Sequence, residues 1–447
     1  MASPAENLMS NLDLSAFGKA TELKSRIWFT LMALIIYRMG TYIPVPGIDP
    51  VTLAEVFKRH GDGILGMFDM FAGGALKRMT IFALNVMPYI TASIIVQLLS
   101  AIVPSFEAMK KEGESGRLRL NQYSRYLTVV FAIVQSSALA VGLENMMGQS
   151  GSAVVLPGLF FRISTIITLT GGTVFLMWLG EQISARGIGN GTSLIIYAGI
   201  VANLPGAMAQ TLELGRTGAM STWFILFVII LVIAVLAVVV FFERAQRRIL
   251  VNYPKRQVGN KMYGGEASHL PLKLNTSGVI PPIFASSLLL FPLTLASFTD
   301  VQQSGGILAE IVTQLGHGKP LFLVLYAALI MFFAFFYTAV VFNPVETADN
   351  LKKYGGFVPG IRPGKNTADY FDYVLTRLTV IGALYLVGVC LLPEILMSKS
   401  AVPFYLGGTS LLIVVSVTID TIARIQSHLI AHQYEGLIKK SKLRGLK

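Results

Sequence analysis

Ten stretches of the chain are apolar over lengths close to the roughly 20 residues a helix needs to cross a bilayer. They are 27–45, 79–103, 126–143, 158–179, 193–212, 221–242, 277–298, 320–342, 374–397 and 404–423. The runs at 221–242 and 320–342 carry no charge at all. Those at 158–179, 193–212 and 404–423 are diluted by Gly, Thr or Pro, which marks spans that face protein or a water-filled space as well as lipid. The pattern predicts an all-α, polytopic membrane protein with ten transmembrane helices. Cut in the polar stretch 209–220, the spans divide into halves at 27–212 and 221–423. An odd number of spans per half turns the second upside down relative to the first. Such inverted five-helix halves build a pathway at their interface, here a central pore.

Composition agrees and adds orientation. Charged residues are 13% and hydrophobic residues 53% of the chain, against about 25% charged in soluble proteins. That excludes a large soluble enzyme, a disordered chain and a disulfide scaffold. Basic residues exceed acidic ones, 36 against 24, for a net charge of +12. On the ten-span topology, 26 of them fall in 1–26, 104–125, 180–192, 243–276, 343–373 and 424–447, and 7 in the opposite loops. The positive-inside rule then puts both termini, the segment 1–26 and the basic tail 424–447, in the cytoplasm. The excess is orientation more than affinity for nucleic acid. Residues 1–26 are polar and include Glu6, Asp13 and Glu22, so the first span reads as an uncleaved helix and not as a signal peptide. The single cysteine, Cys390, lies in an apolar run and reads as a packing residue.

Candidate chemistry is absent. Charges within spans sit near their ends (Arg38, Arg78, Arg162, Glu181, Glu243, Arg377, Glu394 and Asp420), whereas an ion-coupled transporter keeps one at depth. Pro359 to Asn366 lacks the first glycine and the Ser/Thr of a phosphate loop, and Gly187, Gly189 and Gly191 read as a tight turn between helices. The five histidines are scattered. No catalytic residue, metal site or cofactor is expected.

Three features are unusual. The stretch 63–76, with Phe68, Asp69, Phe71, Gly73 and Gly74, is apolar yet too short to span. It is either a short surface helix or a re-entrant segment at a channel mouth. Spans two and seven carry Pro88 and Pro281, Pro282 and Pro292, which suits them to kinking. The loop 243–276 holds seven basic and two acidic residues with Tyr253, Tyr263 and His269, more than a solvated connection needs.

At FDMFAGGALKRMTIFALNVMPYITASIIVQLL (68–99), WLGEQISARGIGNGTSLIIYAGIV (178–201), RRILVNYPKRQ (247–257), VFNPVETADNLKKYGGFVPGIRPG (341–364) and VPFYLGGTSLLIVVSV (402–417), the chain resembles the SecY family, channel subunits of the bacterial Sec protein translocase. The resemblance implies a passive channel in the bacterial cytoplasmic membrane. It moves unfolded secretory proteins across and releases transmembrane segments sideways, with energy from a partner ATPase, a ribosome or the proton-motive force. It implies a plug around 63–76. It implies a pore ring of Val86, Ile90, Ile196, Ile283 and Ile413, with Thr192 departing from the family's branched apolar residue. It implies a lateral gate between spans two and seven, where Thr91, Gln97, Asn275 and Phe291 are candidates. Loops 243–276 and 343–373 would dock the SecA ATPase or a ribosome through Arg247, Arg248, Lys255, Arg256 and Arg362. Other implied partners are SecE and SecG, signal peptides, nascent chains, membrane lipids, and the accessory proteins SecD, SecF and YidC. The alternative, an inverted-repeat secondary solute transporter, shares ten spans and broken helices but explains neither the charge-free middles nor the long basic loop.

Overall fold

The structure, a computed structural model, describes residues 21–60, 69, 72–145, 147–148, 151–217, 221–253, 256–258, 261–263, 267–298, 314, 319–399 and 408–444. In chain order the helices are α1 (Thr21–Gly40), α2 (Pro50–His60), α3 (Met87–Ile102), α4 (Pro104–Lys111), α5 (Glu114–Asn145), α6 (Leu159–Arg186), α7 (Gly191–Arg216) and α8 (Thr222–Arg244). They continue with α9 (Ile280–Phe298), α10 (Pro320–Val341), α11 (Pro344–Lys353), α12 (Lys365–Lys399) and α13 (Gly408–Arg444). Each of the ten apolar runs forms one of these helices. Among the described residues, α5, α6, α7, α8, α10, α12 and α13 are each long and apolar enough to cross a membrane alone.

The exceptions are instructive. Span two starts at Met87, not at residue 79, because 79–86 is a chain of turns in which Met79 (φ 44°) and Asn85 (φ 49°) hold left-handed backbone. The stretch is tolerated because it is buried in protein. Its backbone is stitched to the loop after α1 by Val45 N to Met79 O (2.9 Å) and Ile81 N to Ile43 O (3.0 Å). Pro88 therefore sits in the first turn of α3, and Pro281 and Pro282 in the first turn of α9. There a missing N–H costs no intrahelical bond. These three prolines begin helices and do not kink them, contrary to the sequence expectation. Only Pro292 is interior to α9. The sharp bend lies elsewhere: α3 meets α4 at 96° across Val103, whose extended backbone precedes Pro104. The break expected at 209–220 is also shorter, since α7 runs to Arg216.

Neighbour relations repeat between the halves. In the first, α1 packs on α6 and α7, α3 on α5, α5 on α6, and α6 on α7; in the second, α8 packs on α12 and α13, α9 on α10, α10 on α12, and α12 on α13. Taken in order, the five spans of one half match the five of the other. The halves meet chiefly where α3 and α5 touch α9 and where α7 touches α13. The tight turn is present: Asn190 Oδ1 accepts from Thr192 N (3.1 Å) and Ser193 N (3.4 Å) to cap α7, and a Cβ on Gly191 would lie 1.9 Å from the Gly180 carbonyl oxygen.

The outer surface is built for lipid. Trp223, Phe227, Ile230 and Ile233 of α8 are exposed, an arrangement suited to hydrocarbon and not to water. Many hydroxyls within spans bond their own helix, as in Thr128 to Ser124 O (2.6 Å) and Thr379 to Leu375 O (2.8 Å), which satisfies their donors inside the apolar layer. Helices α5 and α6 are paired at both ends. Arg125 makes a two-pronged bond to Glu181 (2.8 Å each), and Arg162 bonds Glu144 (2.6 Å), which also accepts from Gly158 N (2.9 Å).

Strand structure is confined to loops. A two-residue pair, β1 (Met147–Gly148) with β2 (Gly151–Ser152), lies between α5 and α6. In the 243–276 loop, β3 (Gln246–Asn252) pairs antiparallel with β6 (Ala267–Lys273), and β4 (Arg256–Val258) with β5 (Lys261–Tyr263). This hairpin is joined to the 343–373 loop by reciprocal bonds between Asn252 and Phe357 (2.9 and 3.0 Å). Beneath the joint lies a core of Ile249, Leu272, Val358, Phe371, Val374 and Leu375. The two basic loops are thus one body resting on α12.

Candidate functional site

The seam between the halves is apolar. Val86 (last residue before α3), Ile90 (α3), Ile196 (α7) and Ile413 (α13) are buried, and Ile283 (α9) packs half-buried on the same cluster. All five residues expected to line the pore therefore share one core, drawn from four helices and both halves. Thr192 is in the first turn of α7, one turn before Ile196, and its hydroxyl packs toward Gly180 of α6.

Of the expected plug, Phe68 and Phe71 lie outside the described residues, while residues 72–76 form turns and not helix. Their anchoring is specific. Gly73 and Gly74 take left-handed backbone (φ +67° and +81°). The Gly73 carbonyl accepts from Arg38 of α1 (2.9 Å), and the Gly74 carbonyl from Arg78 (3.0 Å). Arg78 also stacks over the Tyr42 ring at 4.0 Å. Asp69 is buried and accepts from Lys77 N (2.8 Å). Burial pushes its carboxyl above the ordinary value, opposed by that N–H and by the charges of Lys77 and Arg78. A cleft of about 520 Å³ runs beside it, lined by Tyr42, Pro50, Asp69, Arg78, Asn203 and Gln210 among others.

The helices of the expected gate are neighbours. Thr91 is buried on α3, its hydroxyl bonded to Met87 O (3.2 Å), and Gln97 is half-buried on the same helix. Phe291 lies on α9, which touches α3. Asn275 precedes α9, and its amide is committed to Glu243 Oε1 (2.8 Å) and Gly278 O (3.0 Å). From sequence Glu243 is only a charge near the end of a span; its bond to Asn275, 32 positions away, is a product of the fold.

Arg247 and Arg248 are exposed on β3, and Arg362 is exposed in the turn before α12. Arg256 lies on β4, and Lys255 is outside the described residues. The joining of the hairpin to the second loop was also missed. A strand pairing across about a hundred residues leaves no local signal.

Fold and seam together define a class: a multi-span helical membrane protein of channel architecture, two five-helix halves closed on an apolar core. Comparison with known proteins narrows it. The SecY family model matches residues 80–422. The chain is 57% identical over 424 residues to a protein of Rickettsia felis named protein translocase subunit SecY, covering 95% of this chain and 98% of that one. It is 54% identical over 431 residues to the Escherichia coli K12 protein of the same name, covering 96% and 97%. A solved structure described as a protein-conducting channel superposes with a TM-score of 0.64 at 18% identity, covering 91% of this chain and 92% of that one. Sec61 in the canine ribosome–channel complex gives 0.60 at 18%, with the same coverage. The chain belongs to the SecY family.

Proposed function

We propose that this protein is the channel subunit of a protein translocase in a bacterial inner membrane, with both termini in the cytoplasm. Its substrates are unfolded secretory chains, which cross, and apolar segments, which leave sideways into lipid. The observation that supports the reading is that Val86, Ile90, Ile196 and Ile413, drawn from both halves, are buried in one apolar cluster with Ile283 packed against it.

An aqueous hole would leak ions. A collar of Val86, Ile90, Ile196, Ile283 and Ile413 excludes ions by dewetting and adapts to a passing side chain without binding it. Residues 63–76 seal one mouth. The α3–α9 contact is the lateral exit. Partition energy does the sorting there: about 20 Leu-like residues gain roughly 6–12 kcal/mol in lipid, and each central charge costs about 2.5–3.5 kcal/mol.

Among the described residues there is no clustered metal-ligand set. The work of transport is supplied by partners. Arg247, Arg248, Lys255, Arg256 and Arg362 dock a motor ATPase of the SecA kind or a ribosome, and small SecE- and SecG-like subunits complete the complex. The reading is tested by replacing Thr91 and Phe291 with cysteine. Cross-linking that pair pins α3 to α9 and is expected to stop precursor transport into vesicles, with recovery on reduction. Full transport in the locked form refutes the gate.

A further inference from the structure

Residues 274–278 join the basic hairpin to α9, and three helices, α8, α12 and α13, converge around them. From α8, Glu243 Oε1 accepts from Asn275 Nδ2 (2.8 Å), while its other oxygen accepts from Ser416 Oγ of α13 (3.3 Å). From within the junction, Asn275 Nδ2 also donates to Gly278 O (3.0 Å), and Ser277 Oγ donates to Asn275 Oδ1 (3.1 Å). From α12, Gly382 lies so close that an added Cβ would stand 2.9 Å from Leu274 O. One turn on, Tyr385 stacks on Phe242 of α8 with ring centroids 4.3 Å apart and planes 3° from parallel. Asn275 and Ser277 are both buried. Ser416 follows Ile413 by three positions on α13, so the two share a helix face.

We propose that Glu243 is a positioning residue for α9: its carboxylate bridges the junction before α9 to α13, giving the gate helix a fixed pivot on the second half. The inference rests on reading the α3–α9 contact as the lateral exit. A carboxylate suits the task because it accepts on two oxygens from two elements, and charge-assisted bonds of this kind are about twice as strong as neutral ones. With the pivot in place, α9 parts from α3 only when a strongly apolar segment repays the separation. Without it the start of α9 is free, and weaker segments suffice. The pivot at Asn275 also lies two residues beyond β6, so displacement of the docked hairpin is delivered to α9 at this point.

The test uses the purified complex in proteoliposomes. Its readout is the ratio of transport for a precursor with an intact signal segment to that for one with a charge placed in the segment. Glu243→Ala is expected to lower this ratio about tenfold, equivalent to about 1.4 kcal/mol, by raising transport of the weakened precursor. Glu243→Gln, which can still accept from Asn275 and bond Ser416 but without the charge, should restore it in part. Adding Ser416→Ala to Glu243→Ala should change nothing further, since the bond that Ser416 makes is already lost with Glu243. If Glu243→Ala is not recovered in membranes, Ser416→Ala, which removes a single hydroxyl, should shift the ratio in the same direction. An unchanged ratio in Glu243→Ala or Ser416→Ala, a Gln variant no better than Ala, or additive losses overturns the proposal. The gate reading fails separately: it falls if the Thr91–Phe291 lock leaves transport intact. The pivot alone falls if the lock blocks and the ratio does not move.

Discussion

Gly73→Ala isolates what seats the plug segment. Gly73 has φ +67°, and a Cβ there would stand 2.8 Å from the Cα of Gly199 on α7. Left-handed backbone costs a non-glycine residue about 1–2 kcal/mol. Carbon atoms rest about 3.5–4.0 Å apart, so the segment and α7 must separate by roughly 0.7 Å or more. That shift strains the bond from Arg38 to the Gly73 carbonyl (2.9 Å). About 2–3 kcal/mol is lost from the seated state in total, which multiplies the unseated population by about 30–150. Gly74→Ala supplies the control. Its φ of +81° carries the same backbone cost, but its added Cβ meets the end of the Arg78 side chain at 3.0 Å, and that chain can swing aside. About a tenfold effect is expected there. The assay is ion conductance of the purified complex in planar bilayers without precursor. Wild-type conductance in Gly73→Ala, or a smaller rise than in Gly74→Ala, refutes the seating argument.

Two further outcomes are expected. Changing Ile90 and Ile413 together to Ser opens a collar whose members are 6% and 1% exposed, each losing packing on the order of 2–5 kcal/mol. Ion leak in reconstituted vesicles should rise, and unchanged conductance refutes the ring. Arg362→Glu reverses an exposed charge in the turn before α12 and should slow motor-driven transport about tenfold while leaving the protein's own insertion intact; normal transport rate refutes the docking role.

Long apolar runs were legible because each side chain in them states its solvent. Transfer energy is local, so α8 and α10 could be read residue by residue. Span two was overdrawn for the same reason. Residues 79–86 are as apolar as a helix, but hydropathy does not register the left-handed turns at Met79 and Asn85. The prolines misled in the same way, since a proline's effect depends on whether it stands in the first turn or the middle of a helix. The hairpin β3–β6 alternates in burial along β3, but Ile249, Leu250 and Val251 are all apolar, so the two-residue period does not show in the sequence. Its bonds to Phe357, and the bridge from Glu243 to Ser416 across 173 positions, are products of packing and leave no trace in spacing. The residues proposed for the ring came only through resemblance, because an apolar side chain in a pore and one in a core are chemically alike.

The two ion pairs that bracket α5 and α6 have a mechanical consequence. Arg125 and Glu144 are 19 residues apart on α5, as are Arg162 and Glu181 on α6, about 28 Å of helix. The hydrocarbon of a bilayer is about 30 Å thick. One pair stands at each face of the membrane, so any vertical slip of this post drags a charged pair into oil while sideways motion costs nothing of the kind. A chain driven along the channel pushes on its walls with axial thrust, and the lipid resists that thrust through these four side chains. The membrane acts as the bearing against which the channel works.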